Sequence, residues 1–236
     1  MENHCPKCPA DSISGAHLLY SALDGVRAIR LLQLHPGKPT DDIECTIVYS
    51  SLNDGKGKHV GYAALSYVWG DQALLQPTIL CNGVLFHVTS NLEAALRAPR
   101  REYEQRTLWV DQICINQGDL GERCSQVQII GHIYEEADET IGWLGETSED
   151  SSVAIDFART LKARIEEILK ELGDDPKAPQ FFLKFPVPLP FARGYFILVG
   201  LSAANADWIS LMNLFDRPWF SRCQLVYRGS LFIPPL

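Results

Sequence analysis

Asp111 and Glu122 are the two carboxylates best placed for chemistry. Asp111 closes a short apolar run, Thr107 to Ile113 (TLWVDQI), that reads as a buried strand. Ligands of open α/β sheets usually bind at such strand ends, although a turn residue suits that place equally well. Glu122 stands at a helix start just after a loop. It reads either as a functional acid or as the capping-box partner of Asp119, which needs only backbone N–H groups. A second apolar run, Tyr62 to Trp69 (YAALSYVW), stops at Gly70-Asp71 and brings Ser66, Tyr67, Trp69 and Asp71 to another strand end. Trp69 can stack on a planar ring or fill core. With Gly70, Asn116, Gln117 and Arg123, these residues form the candidate ligand set of one crevice. Arg217-Pro218-Trp219 adds either a phosphate-positioning Arg or a helix entry with Pro in its first turn.

Other constellations are weaker. Cys114 with His132 as base would make a nucleophile, but Ile113 and Ile115 flank it as they would a buried, apolar-like cysteine. Cys5-x-x-Cys8 beside His4 is half a zinc site without a second pair at ligand spacing, so no metal is expected. No Gly-x-Ser-x-Gly, phosphate loop or His-Glu-x-x-His occurs.

The elements that must carry these residues are short and alternate in type. Val26–Leu34 and Ile43–Leu52 read as strands around the turn material His35 to Pro39. Thr78–Cys81 and Val84–Val88 flank Asn82-Gly83, a type I′ hairpin signal. Ser90 with Glu93 opens a short helix, and Asp119 with Glu122 opens another whose inner stripe is expected to be Val127, Ile130, Tyr134 and Ala137. Thr140–Leu144 returns as a strand. These alternations predict an α/β fold with a mostly parallel sheet and helices on both faces, plus the hairpin. A long amphipathic helix, Ser151 to Leu172, follows with Phe157, Leu161, Ile165, Ile168 and Leu172 inward. Residues 174–194 are Pro-rich, and Tyr195 to Phe215 is expected to be helical. The organisation expected is a lead-in over 1–25, a domain over 26–222 with a helical and Pro-rich insertion at about 148–215, and an atypical tail over 223–236.

Bulk composition narrows the function classes. The chain has 236 residues, 46% apolar and 21% charged, with a net charge of −8. That is an ordinary globular balance, and it argues against a nonspecific nucleic-acid binder, which needs a basic face. Seven scattered cysteines suit a reducing compartment rather than a disulfide framework. No signal peptide is visible, and the longest apolar stretch is interrupted by prolines. A cytoplasmic protein without a stable membrane span is expected.

Four stretches in this order carry a resemblance: Ile29-Arg30-Leu31-Leu32, Tyr62 to Asp71 (YAALSYVWGD), Leu108 to Arg123 (LWVDQICINQGDLGER) and Arg217 to Arg222 (RPWFSR). Together they resemble the fungal heterokaryon incompatibility (HET) domain, over roughly Ile29 to Arg222. The resemblance implies nonself recognition and programmed cell death signalling, through self-association into a homo-oligomer or with other death-signalling proteins. It also implies a distant likeness to TIR domains and hence a TIR- or flavodoxin-like sheet. Some TIR domains cleave NAD with a Glu on a helix, which makes NAD a possible substrate and an NAD glycohydrolase the alternative reading. The matching place in a HET domain is a Gln-Glu after the Arg-Pro-Trp-Phe motif. Here the chain reads Cys223 to Arg228 and then runs to Leu236 with no carboxylate after Asp216. A truncated C-terminus with weakened or lost activity is therefore the expectation.

Overall fold

Apolar runs too short to be helices, broken by Gly, Pro and Asn, produce the sheet that dominates the N-terminal unit. The structure is a computed structural model, and it describes residues 19–52, 60–71, 77–172, 206–222 and 231–232. Its strands are β1 (Ala28–Leu34), β2 (Glu44–Ser51), β3 (Ala63–Ser66), β4 (Thr78–Cys81), β5 (Val84–His87), β6 (Arg106–Trp109), β7 (Glu139–Gly142) and β8 (Leu231–Phe232). The helices are α1 (Ser90–Arg97), α2 (Asp111–Cys114), α3 (Leu120–Glu135), α4 (Ser151–Leu172), α5 (Ala206–Phe215) and α6 (Pro218–Arg222). The chain divides into two compact units, one of Met1–Gly145 with Arg222–Pro235 and one of Glu146–Ser221.

In the first unit the strand order is β5-β4-β2-β1-β6-β3-β7-β8. β6, β3 and β7 are adjacent and parallel, with Ala63 opposite both Leu108 and Glu139. The sheet as a whole is mixed, which corrects the expectation of a mostly parallel one. β1 runs antiparallel to β2 and to β6. For β1 and β2 the short segment from His35 to Ile43 is the cause: it can reverse the chain, whereas a parallel return needs a crossover of a dozen or more residues. The hairpin formed as its sequence demands, since Asn82 and Gly83 both have positive φ, 50° and 77°, as a type I′ turn requires.

Several boundaries moved. The strand read to Ile113 ends at Trp109, and Asp111 opens the one-turn helix α2. The strand read to Trp69 ends at Ser66, so Tyr67 to Gly70 belong to the loop beyond it. Thr89, not Ser90, caps α1, accepting a hydrogen bond from the Leu92 N–H, and Glu93 pairs with Arg97 instead. Of the expected α3 stripe, Ile130, Tyr134 and Ala137 pack half-buried against the core and Val127 does not. Gln126 and Ile133 are buried while Val127 is 61% exposed. Two buried side-chain tethers draw Gln126 and Ile133 in beside that stripe: Gln126 Nε2 donates to the Ala28 carbonyl and the Tyr62 hydroxyl donates to the Ile133 carbonyl. Hydrophobic periodicity does not register such polar anchoring.

The core lies along β1 and β3. Leu31, Leu32, Leu34, Ala64, Leu108 and Trp109 are fully buried, so each strand contributes apolar side chains of the order of 1.5–3 kcal/mol apiece. In the second unit, Ala154, Phe157 and Leu161 of α4 are buried. Phe157 meets Trp208 of α5 edge to face at 4.7 Å. The expected inward positions Ile165, Ile168 and Leu172 and the segment 174–205 lie outside what is described of the side chains and backbone. No helix among the described residues is long and apolar enough to cross a membrane.

Candidate functional site

The carboxyl ends of β3, β6 and β7 face one edge, because the three strands are parallel neighbours. Residues that follow those ends therefore gather there, as ligand-binding loops do in open sheets. The decisive contact is between Trp69, past the end of β3, and Asp111, past the end of β6. The Trp69 indole N–H donates to Asp111 Oδ2 at 2.8 Å. The other carboxylate oxygen of Asp111 accepts from the Gln112 N–H at 2.7 Å. The Asp111 carbonyl accepts from Gln117 Nε2 at 2.8 Å, which brings the 116–117 loop to the same place.

Tyr67 is buried beside this pair and its hydroxyl donates to Gln112 Oε1 at 3.3 Å. Burial first, and then the Asp111 charge, hold its phenol well above the usual range. It therefore stays protonated and can only act as a neutral group. The Ser66 carbonyl accepts from the Trp143 N–H at 2.8 Å. Gly70 has φ +78° and Asp71 after it is exposed. Of the expected ligand residues, Trp69 and Gln117 bond to Asp111 directly, Ser66 ends β3, and Tyr67, Gly70 and Asn116 lie in the segments that follow β3 and α2.

Glu122 meets the capping-box reading through its backbone only. Asp119 does cap α3 through the Glu122 N–H. The Glu122 carboxylate does not close the capping box but clasps Arg30 of β1 through both oxygens, at 2.5 and 3.0 Å. It also accepts from the Asn116 N–H at 2.7 Å. Arg30 is fully buried. Burial works against its charge, and the adjoining carboxylate more than offsets this, so the guanidinium is held above its ordinary pKa. The Tyr20 and Tyr49 ring centroids lie 4.8 and 5.4 Å from the guanidinium carbon, within cation–π range. Arg30 was missed as a site residue, although a cation inside VRAIRLL demands a buried partner. Arg123 lies half-buried on the first turn of α3.

The remaining candidates sort cleanly. Cys114 is buried and burial pushes its thiol up to about 12, while His132 is exposed beside Glu135 at 3.3 Å. No nucleophile–base pair is assembled there. In the second unit, Arg217 donates to Ser148 Oγ and Ser151 Oγ, both at 2.8 Å, bracing the start of α4. Asn213 reaches Asp150 at 2.8 Å in the same way and, with Ser148, lowers the Asp150 carboxyl. Trp219 is buried, edge to face with Phe220. The helix-entry reading of Arg217-Pro218-Trp219 describes these contacts. Among the described residues no group of three or more His, Cys, Asp or Glu could hold a metal ion.

A sequence model of the heterokaryon incompatibility protein (HET) family matches residues 62–224, from the start of the β3 region through α6. The chain belongs to the HET family. It is also similar to heterokaryon incompatibility protein 6, OR allele, of Neurospora crassa, at 30% identity over 239 residues. That alignment takes in 90% of this chain and 34% of the relative, so the HET chain spans about a third of that relative's length. No solved structure matches it. The family match encloses Trp69, Asp111 and Glu122, but begins after β1 and therefore leaves out Arg30.

Proposed function

We propose that this chain acts in fungal nonself recognition as the module that triggers programmed cell death, and that it signals by self-association in the cytoplasm. The observation that carries the reading is the HET family match over 62–224, joined by the likeness to an incompatibility protein of Neurospora crassa. The parallel β6-β3-β7 segment, with its loops gathered on one edge, supports a TIR-like arrangement of that part of the domain. Under this reading the Trp69–Asp111 edge is the functional surface. It is the place where residues of the two longest motifs of the sequence meet, at 2.8 Å.

The alternative of NAD cleavage draws no support from the geometry. Asp111 and Glu122 are each engaged by two or more donors, so a sugar cation would have to displace existing partners. The test of the main reading is inducible expression of the full chain in a filamentous fungus. Hyphal growth and vital-dye uptake are followed, with light scattering of the purified protein for its mass. Growth arrest with dye uptake, and a mass above that of one chain, is the expected result. Normal growth at verified expression levels would sink the proposal.

A further inference from the structure

Asn91 joins two of the loops that leave the carboxyl edge. It lies in the first turn of α1, behind the Thr89 cap. Its Nδ2 donates to the Val68 carbonyl in the loop after β3. Its Oδ1 accepts from Trp143 Nε1, past the end of β7, at 2.9 Å. The residue after Val68 is Trp69, whose indole donates to Asp111. Next comes Gly70, at φ +78°, where an added Cβ would lie 3.4 Å from Asn91 Cβ. The positive φ, not lack of space, is what suits glycine at this bend of the loop.

One line of polar contacts therefore runs along the edge: Trp143 indole to Asn91, Asn91 to the Val68 carbonyl, and the adjoining Trp69 indole to Asp111. The amide is suited to the middle of that line because it donates from one atom and accepts at another. A carboxylate in its place could accept from Trp143 but would face the Val68 carbonyl with no proton to give. Helix propensity offers no reason for Asn here, since it ranks low in helices.

We propose that Asn91 is a positioning residue of the carboxyl-edge site, locking the loops after β3 and β7 together so that Trp69 meets Asp111. This rests on the reading that the edge carries the HET function, and the test separates the two. Asn91→Ala, Asn91→Asp and Asp111→Asn are made in the full chain. Each is assayed for induced cell death and for its indole N–H signals in a 15N spectrum, where the five tryptophans are individually visible. In Asn91→Ala, the Trp143 and Trp69 signals should shift and exchange with water about tenfold faster, as loss of a hydrogen bond implies. The signal of the core residue Trp109 should stay in place, which marks an intact fold, and cell death should fall at least severalfold. In Asn91→Asp, Trp143 should keep its partner while Trp69 still moves. That variant gives the same reading if the alanine form does not fold. An unmoved Trp69 signal overturns the inference, as does full killing by folded Asn91→Ala when Asp111→Asn is inactive. Full killing by Asp111→Asn refutes the edge reading instead, and the Trp69 signal alone then decides the role of Asn91.

Discussion

Arg30 and Glu122 stand 92 residues apart in sequence and meet through both carboxylate oxygens, with the guanidinium fully buried. The pair ties the middle of β1 to the first turn of α3. It also fixes the loop before α3, because Glu122 accepts from the Asn116 N–H. A buried pair adds little over an apolar pair of the same shape, but removing one partner leaves a charge stranded.

Glu122→Gln should therefore lower unfolding free energy by about 3–5 kcal/mol, the usual loss when one member of a buried pair goes. Arg30→Met combined with Glu122→Leu should recover much of that loss. Urea titrations of the three proteins measure both effects. A Glu122→Gln protein as stable as the parent would show that the clasp is not formed.

Alkali should destabilise the fold. Burial pushes the Cys114 thiol up to about 12 and raises the phenols of Tyr20, Tyr62 and Tyr67 above their ordinary range. Each is a group whose folded pKa exceeds its unfolded one, so the folded state keeps a proton that the unfolded chain releases. The stability is present below the unfolded values, about 8.5 for a thiol and 10 for a phenol. It is lost as pH rises toward the folded values, at about 1 kcal/mol per pH unit for each group. Denaturation midpoints should hold steady to about pH 8.5 and fall steeply above about pH 9.5. A flat profile through pH 11 would contradict the burial of these groups.

Much of the fold was legible because it depends on local chemistry. Asn82-Gly83 dictated the hairpin, and the apolar runs at Ala63, Leu108 and Thr140 dictated the parallel neighbours. What stayed hidden depends on partners distant in sequence. The burial of Gln126 and Ile133 on α3 follows from bonds to Ala28 and Tyr62, and the role of Glu122 follows from Arg30. The capping-box spacing of Asp119 and Glu122 was correct for the backbone, yet it could not tell where the carboxylate would point. At the site, the two apolar runs that lead to Trp69 and Asp111 were readable from sequence, although the strands end earlier, at Ser66 and Trp109. Asn91 was not, because a single Asn at a helix start looks like any polar surface residue.

Purified protein incubated with NAD should release nicotinamide no faster than a buffer blank. The carboxylate of Asp111 is held by Trp69 and Gln112, and that of Glu122 by Arg30 and Asn116. Without a carboxylate placed beside the ribose, transition-state stabilisation of several kcal/mol is missing, on the order of a thousandfold in rate. Chromatography of the reaction products is the check. Turnover abolished by Asp111→Asn would show that this carboxylate reaches substrate.

The most direct measurement is the killing activity of Trp69→Phe. This change removes one N–H and keeps most of the ring surface, so Asp111 loses the indole donor while the loop keeps most of its packing. The thermal midpoint should move by only a few degrees, as a loss of about 1 kcal/mol implies. Induced expression in the fungal host should then leave hyphae growing and excluding vital dye, where the proposed function has the parent chain kill them. Cell death at the parental rate from a folded Trp69→Phe protein would contradict the assignment of this edge as the functional surface.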